Sequence, residues 1–357
     1  MILSLLAPLA HAATLTVGVG QPYATLDDAL DAYVAGDVIE LQAGTHELSS
    51  DRFSLLPGPL RLKGSGLQTT TLRADMGTRH LNGLVDIHLS DLTIEDIVFE
   101  AEGSNLMVRD VHLEDCVLVG TGTHGRLERV TAIDTDIYVV ATESVTVRQV
   151  ASWFEAAPQP LTTAFVTTAD DSVLDVRGST FATQGVVDFG DGFTAPTGRM
   201  TVKNNRFCDQ VYPWFRADHM SLAIEKNTFI DTLNTVVYAT RLSLADNTFY
   251  AADYVDITLS DRGRVVNNAF VNSTGGLGGF LTLSPTQLAV DYNLAYGTQL
   301  SASNVPGPHH VAADPLFVAP TDGCDADLSL QPGSPAIDAG HPSYLDPDGT
   351  VADIGAH

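Results

Sequence analysis

From residue 87 onward an apolar residue returns about once every twenty positions, at Ile87, Val108, Leu127, Val147, Val176, Val202, Ile224, Leu244, Val265 and Val290. Each stands in a short segment of alternating apolar and polar residues, the period-two pattern of a half-buried strand. Three residues after five of these markers comes an asparagine, at Asn205, Asn227, Asn247, Asn268 and Asn293. Five residues after its marker comes Phe181, Phe207, Phe229, Phe249 or Phe270. A strand-sized pattern with a period near twenty predicts a β-solenoid. One coil cannot bury its own apolar face, but coils stacked at about 4.8 Å lay equivalent residues on one another. The phenylalanines should then form an internal column. The asparagines should sit at a tight corner, which tolerates left-handed backbone, and bond amide to amide between coils. An antiparallel sandwich is the rival reading, and it predicts no fixed columns.

The ends of the chain read differently. Thr14–Val17 is strand-like, and residues 23–34 form a short amphipathic helix. Thr25 and Asp28 make a capping box there, with Leu26, Ala29, Leu30, Tyr33 and Val34 on one face. A solenoid has two open strand edges; this helix is expected to plug the first. The Pro-, Gly- and Asp-rich segment from Asn304 is expected to cover the second. The fold class is therefore all-β: a right-handed parallel β-helix of about ten or more coils. It should occupy residues 13–303, with the N-terminal capping helix and an irregular C-terminal cap over 304–357. Residues 1–12 are apolar and end Ala10-His11-Ala12, which reads as a signal peptide, with a buried first strand as the alternative.

The chain holds 44 Asp and Glu against 18 Lys and Arg, a net charge of -26. That field repels phosphate backbones, so nucleic acid is not expected as a partner. It also repels an acidic polysaccharide unless basic residues cluster. Beyond the first residues no stretch approaches the ~20 apolar residues of a membrane span. The expectation is a secreted monomer, extracellular, on the outer surface or in the periplasm. Of the three cysteines, Cys116 and Cys208 fall four coils apart in this register, too far to pair. Buried free thiols are expected, with Cys324 open.

The opening Tyr23-Ala24-Thr25-Leu26-Asp27-Asp28-Ala29-Leu30, then Gly36-Asp37-Val38-Ile39 and Ala43-Gly44-Thr45, resembles the first coil of pectin-lyase-like parallel β-helix proteins of bacteria. The close is similar to the terminal segment of secreted members, at Ala313-Asp314-Pro315-Leu316-Phe317, Leu328 to Gly340, Asp346-Pro347-Asp348-Gly349 and Asp353-Ile354-Gly355-Ala356. The resemblance implies this fold and a polysaccharide partner. Its members include lyases, hydrolases and epimerases, as well as surface proteins without catalysis, so it leaves the activity open. The family's calcium-binding aspartates with an arginine base, or its trio of aspartates, are not matched here.

The residue after each marker should point outward. Arg148, Arg177 and Lys203 then stack in successive coils, between Glu128 and Glu225. Three stacked cations favour an anion lying across them; the flanking carboxylates are the alternative counter-charge. The longest steps between markers, 29 and 26 residues, also fall between Val147 and Val202, where long loops leave the scaffold. Trp153 precedes this region, and Trp214 and Arg216 follow it. Indole faces stack on sugar rings and guanidinium pairs with carboxylate, so these six residues are the candidate ligand face. For catalysis, Asp209 and Asp231 share a column one coil apart, as do Asp115 and Asp134. Stacked carboxylates split their pKa values, and Arg206 and His219 could move a proton. Asp346, Asp348 and Asp353 could hold calcium, or simply shape a Pro-Asp-Gly turn. No cofactor is required. The expected function is a polysaccharide-binding surface, or envelope-glycan binder, with a lyase or hydrolase of a uronic-acid glycan as the alternative.

Overall fold

The computed structural model describes residues 12–48, 58–74, 79–153, 162–182, 185–191, 198–273, 288–298, 307–321 and 323–356. The expected signal segment lies, but for its last residue, outside the described residues. Twenty-four strands join in one ladder, in which each pairs in parallel with the strand one coil away. One coil shows the plan. Residues 212–217 run in a first sheet, 221–225 in a second and Thr228–Ile230 in a third. The next coil repeats them at 235–239, 241–245 and Thr248–Tyr250. This is a parallel β-solenoid of about ten coils. The sandwich reading is excluded, because the antiparallel strand pair among the described residues joins only Phe317–Ala319 to Asp327–Leu330.

The asparagines stack as expected. Asn205 donates its side-chain amide to the Asn227 Oδ1 at 3.0 Å, and Asn227 to Asn247, Asn247 to Asn268 and Asn268 to Asn293 follow at 3.0, 2.9 and 3.0 Å. Each Oδ1 also accepts the backbone N–H of the coil before it, so the buried amides are fully engaged. The corner expectation is off by one residue. The left-handed position is the residue before each ladder asparagine: Asn204, Lys226, Asp246, Asn267 and Tyr292, with φ from 54 to 58°. The ladder asparagine is used for its amide and not for its backbone freedom.

Phe181, Phe207, Phe229, Phe249 and Phe270 stack with ring centroids 4.5 to 5.3 Å apart. A second column, Phe165, Phe189 and Phe215, comes from the inner face of the first sheet at 5.7 and 5.2 Å. It meets the first column edge-on, at 5.7 Å for Phe181 against Phe189, an orientation the ring quadrupole favours.

At the N-terminal end the helix Leu26–Ala32 carries the capping box of Thr25 and Asp28 and buries Leu26, Ala29 and Leu30. At the other end the tail continues from the last coil. Residues 307–311 extend the last coil, with Val311 bridged to Leu294. The chain then runs back along the side of the solenoid. Phe317, Ala326, Leu328, Ala336 and Ile354 pack on the outer surface of the third sheet, against Cys208, Ile230, Val271 and Leu294. This strap covers the side of the third sheet, which is more than an end cap alone requires. It is fixed by a disulfide between Cys208 and Cys324, whose Cα atoms lie 5.2 Å apart. The expected free thiol is therefore kept only at Cys116, which is buried and has its pKa pushed up to about 12 by burial.

Candidate functional site

Strand alternation gives each sheet an outer face, and parallel register turns those faces into columns. On the second sheet one column reads Lys63, Ser90, Arg109, Glu128, Arg148, Arg177, Lys203 and Glu225. Arg148, Arg177 and Lys203 thus stand side by side. Two neighbouring columns on the same face add Arg61, Arg126 and Arg264, and then Arg199, Arg241 and Arg262. Together these make up more than half of the 18 Lys and Arg in the chain. The last two columns were missed in the sequence reading, although their signal was present. They occupy the positions one and three residues before the apolar marker, which alternation also turns outward.

The carboxylates on this face do not cancel the cations one for one. Asp175 lies between Arg148 and Arg177, at 3.0 and 2.6 Å. Glu225 is shared by Lys203 and Arg264, both at 3.6 Å. Glu128 is shared by Arg126 and Arg129 at 2.7 and 2.8 Å, and Asp261 by Arg241 and Arg262 at 3.3 and 3.4 Å. Lys63 pairs one to one with Glu40 at 3.2 Å, but the shared carboxylates hold two cations each in place and leave a surplus of positive charge. Arg199 has no ion pair among the described residues. Arg199, Arg241, Arg262 and Arg264 border an open groove of about 450 Å³ floored by Ser221, Ala223 and Ser243. Arg264 donates to the Ser243 hydroxyl at 2.9 Å and lies 5.4 Å over the Tyr344 ring of the strap.

The two tryptophans are on different faces. Trp214 and Arg216 stand on the outer surface of the first sheet, where Arg216 pairs with Asp188 through two hydrogen bonds. Trp153 pairs its backbone with Ile133 and Ala182 and packs against the strap cluster on the third sheet. Of the six ligand candidates, then, Arg148, Arg177 and Lys203 share one face, Trp214 and Arg216 share a second, and Trp153 is on the third.

The catalytic candidates are likewise spread out. Asp209 and Asp231 occupy the corner between the third and first sheets in adjacent coils, at φ 60 and 52°. Asp96, Asp115 and Asp134 fill the same corner in earlier coils, at φ 59, 51 and 47°. Aspartate tolerates the left-handed backbone these corners demand, which explains the stacked carboxylates without a catalytic role. Arg206 donates to the Ala326 carbonyl beneath the strap, and burial lowers its pKa. His219 falls at the opposite corner, between the first and second sheets. At ~3.3 Å per residue the intervening limb keeps it about 20 Å from Asp209. Asp346, Asp348 and Asp353 are taken up by a turn: Asp346 accepts the Asp353 N–H, and Asp348 accepts the Thr350 N–H, both at 3.0 Å. Among the described residues, the three metal-ligating side chains whose ligand atoms lie within 4.8 Å of one another are Cys208, Asp209 and Cys324. Two of these are spent in the disulfide.

No family description and no curated protein matches the sequence. Among solved structures the chain is similar to a pectate lyase Pel9A, at 11% identity and a TM-score of 0.37, over 97% of this chain and 96% of that one. It is also similar to the PL6 family alginate lyase AlyGC, at 11% identity and a TM-score of 0.36, over 90% of this chain and 55% of that one. A PL6 family polysaccharide lyase from Pseudopedobacter saltans shares 11% identity with a TM-score of 0.28, over 84% of this chain and 94% of that one. The architecture itself rests on the strand register described above.

Proposed function

We propose that this protein binds an anionic polysaccharide along the outer face of its second sheet, without cleaving it. One observation carries the reading: a chain with a net charge of -26 gathers most of its cations on a single flat face. The net charge repels a polyanion from the molecule as a whole, so this face sets both where it lands and how it lies. The columns run along the solenoid axis at about 4.8 Å per coil, so the carboxylates of an extended uronic-acid chain laid along them come within reach of Arg148, Arg177 and Lys203. Guanidinium suits them, since its planar fork matches a carboxylate bidentately. The Cys208–Cys324 disulfide supports a secreted or surface location, where oxidising conditions keep such a bond. The separation of Asp209 and Arg206 from His219 favours binding over a lyase or hydrolase reaction.

The test is a binding titration with polygalacturonate and alginate, alongside the variant Arg177→Glu with Lys203→Glu. Wild type should bind, and the double variant should lose at least tenfold in affinity. Equal binding by the two proteins removes the face from the function. Equal affinity for a single-stranded DNA of matched charge overturns the assignment to glycan. Unsaturated products or new reducing ends in the same mixtures overturn the non-catalytic reading.

A further inference from the structure

The first sheet carries an outer face of a different chemistry. One column there runs Tyr138, Ala164, Asp188, Trp214, Val236 and Asp256 through successive coils. The next column places Tyr238 beside Arg216 and Thr258. Trp214 and Tyr238 are each 37% exposed, and Tyr254, at the edge of the same sheet, 41%. The inward rings Phe99, Phe165, Phe181, Phe207, Phe229 and Phe249 are fully buried, whereas Tyr138, in the same outer column as Trp214, is 44% exposed.

Two oxygens in this patch lack donors. Asp256 Oδ1 and Asn234 Oδ1 are both buried without a hydrogen-bond partner among the described residues. Asn234 stands at the corner that leads into this strand, and Asp256 lies one coil on, beside Val236. A buried acceptor without a donor is costly. No cation neighbours Asp256: burial is the cause of its raised pKa. What the patch wants is a flat apolar surface with several O–H donors at its rim. Calcium fits poorly, because one carboxylate and one amide oxygen fall far short of its six to eight ligands.

We propose that Trp214, Tyr238, Asn234 and Asp256 form a second carbohydrate site, for an uncharged hexose of a glycan. The sugar stacks on the rings and donates hydroxyl hydrogens to the accessible part of the half-buried Asp256 carboxylate. This site is independent of the basic face, since it lies on another sheet and uses no cation to hold its ligand.

Trp214 is one of only two tryptophans, so the variant Trp153→Phe leaves it as the sole indole reporter. That protein would be titrated with neutral gluco-, manno- and galacto-hexaoses, following fluorescence and heat. At least one should shift Trp214 emission and bind, and Asp256→Ala should weaken that binding tenfold or more. Tyr238→Ala, a change at an exposed ring, should weaken it similarly and serves if Asp256→Ala does not fold. The Arg177→Glu, Lys203→Glu protein should bind the neutral sugar as well as wild type, so failure of one site is read separately from failure of the other. No shift with any hexaose at millimolar concentration overturns the proposal, as do unchanged affinity in both site variants or binding that chelation by EDTA abolishes.

Discussion

Asn247 shows how a single buried amide can tie three coils together. Its Nδ2 donates to the carbonyls of Ile224 and Ala245 at 2.8 and 3.0 Å and to Asn268 Oδ1 at 2.9 Å. Its Oδ1 accepts the N–H and the side-chain amide of Asn227 at 2.9 and 3.0 Å. Asn247→Ala strands all of these at once in a site closed to water, a loss on the order of 3 kcal/mol. Faster hydrogen exchange at the Asn227 amide and a lower thermal midpoint should report it; wild-type exchange there would show that the ladder carries no stability. Asp115 is the opposite case. Burial, followed by the charges of Asp96, Asp134 and Glu114, holds its pKa above the ordinary 3.8. The folded state therefore binds this proton more tightly than the unfolded state does. The penalty is full above the raised folded pKa and vanishes below the unfolded value. Asp115→Asn keeps a residue suited to the left-handed corner and removes the charge. It should stabilise at neutral pH by less than about 1 kcal/mol, the site being largely exposed, and give no gain in strong acid. Urea midpoints at the two pH values decide it, and an equal gain at both would refute the electrostatic cause.

At the scale of elements, the strap is the part whose role can be isolated. Its apolar residues form a cluster of their own on the outside of the third sheet, separate from the solenoid core. The Cys208–Cys324 bond spans 116 residues of chain. Closing a loop of that length contributes roughly 5 kcal/mol in the chain-entropy account, by restricting the unfolded chain. Cys324→Ser should leave the parallel coils in place, since their core is internal, while freeing the strap to expose Ile230, Val271 and Leu294. Far-ultraviolet circular dichroism should be preserved, and binding of an apolar dye should rise. Unchanged dye binding would mean the strap is held by packing alone. The element also explains Arg206, which a linear reading places beside Asp209 as a proton carrier. In the folded chain it is a strap anchor.

For the whole molecule the deciding quantity is the distribution of charge and not its sum. Most carboxylates lie away from the second sheet, and Glu128, Asp175, Glu225 and Asp261 on it are each shared by two cations. Binding of a polyanion there is made largely of exposed charges, so raising salt from about 0.05 to 0.5 M, which shortens the screening length from roughly 14 to 4 Å, should weaken it by at least tenfold. Neutral-sugar binding at the first sheet should change little over the same range. A calorimetric series with both ligands compares them directly, and a salt-independent polyanion affinity would contradict the basic-face reading. Within the described residues no helix is long and apolar enough to cross a membrane.

The periodic sequence by itself determined the solenoid, its register and its inner ladders. In a stacked coil a residue's tertiary neighbours are the residues one period away, so Asn205, Asn227 and Phe207, Phe229 announce their own contacts. It also determined the stack of Arg148, Arg177 and Lys203, which follows from the same register. Only the tertiary structure decided which faces those residues share around the coil. The corners on either side of the third sheet insert a left-handed residue that resets the in-and-out alternation, so Trp153 and Trp214 part company although both flank the same loops. The disulfide and the strap were decided there too, because Cys324 returns to Cys208 from outside the repeat, where no period links the two positions.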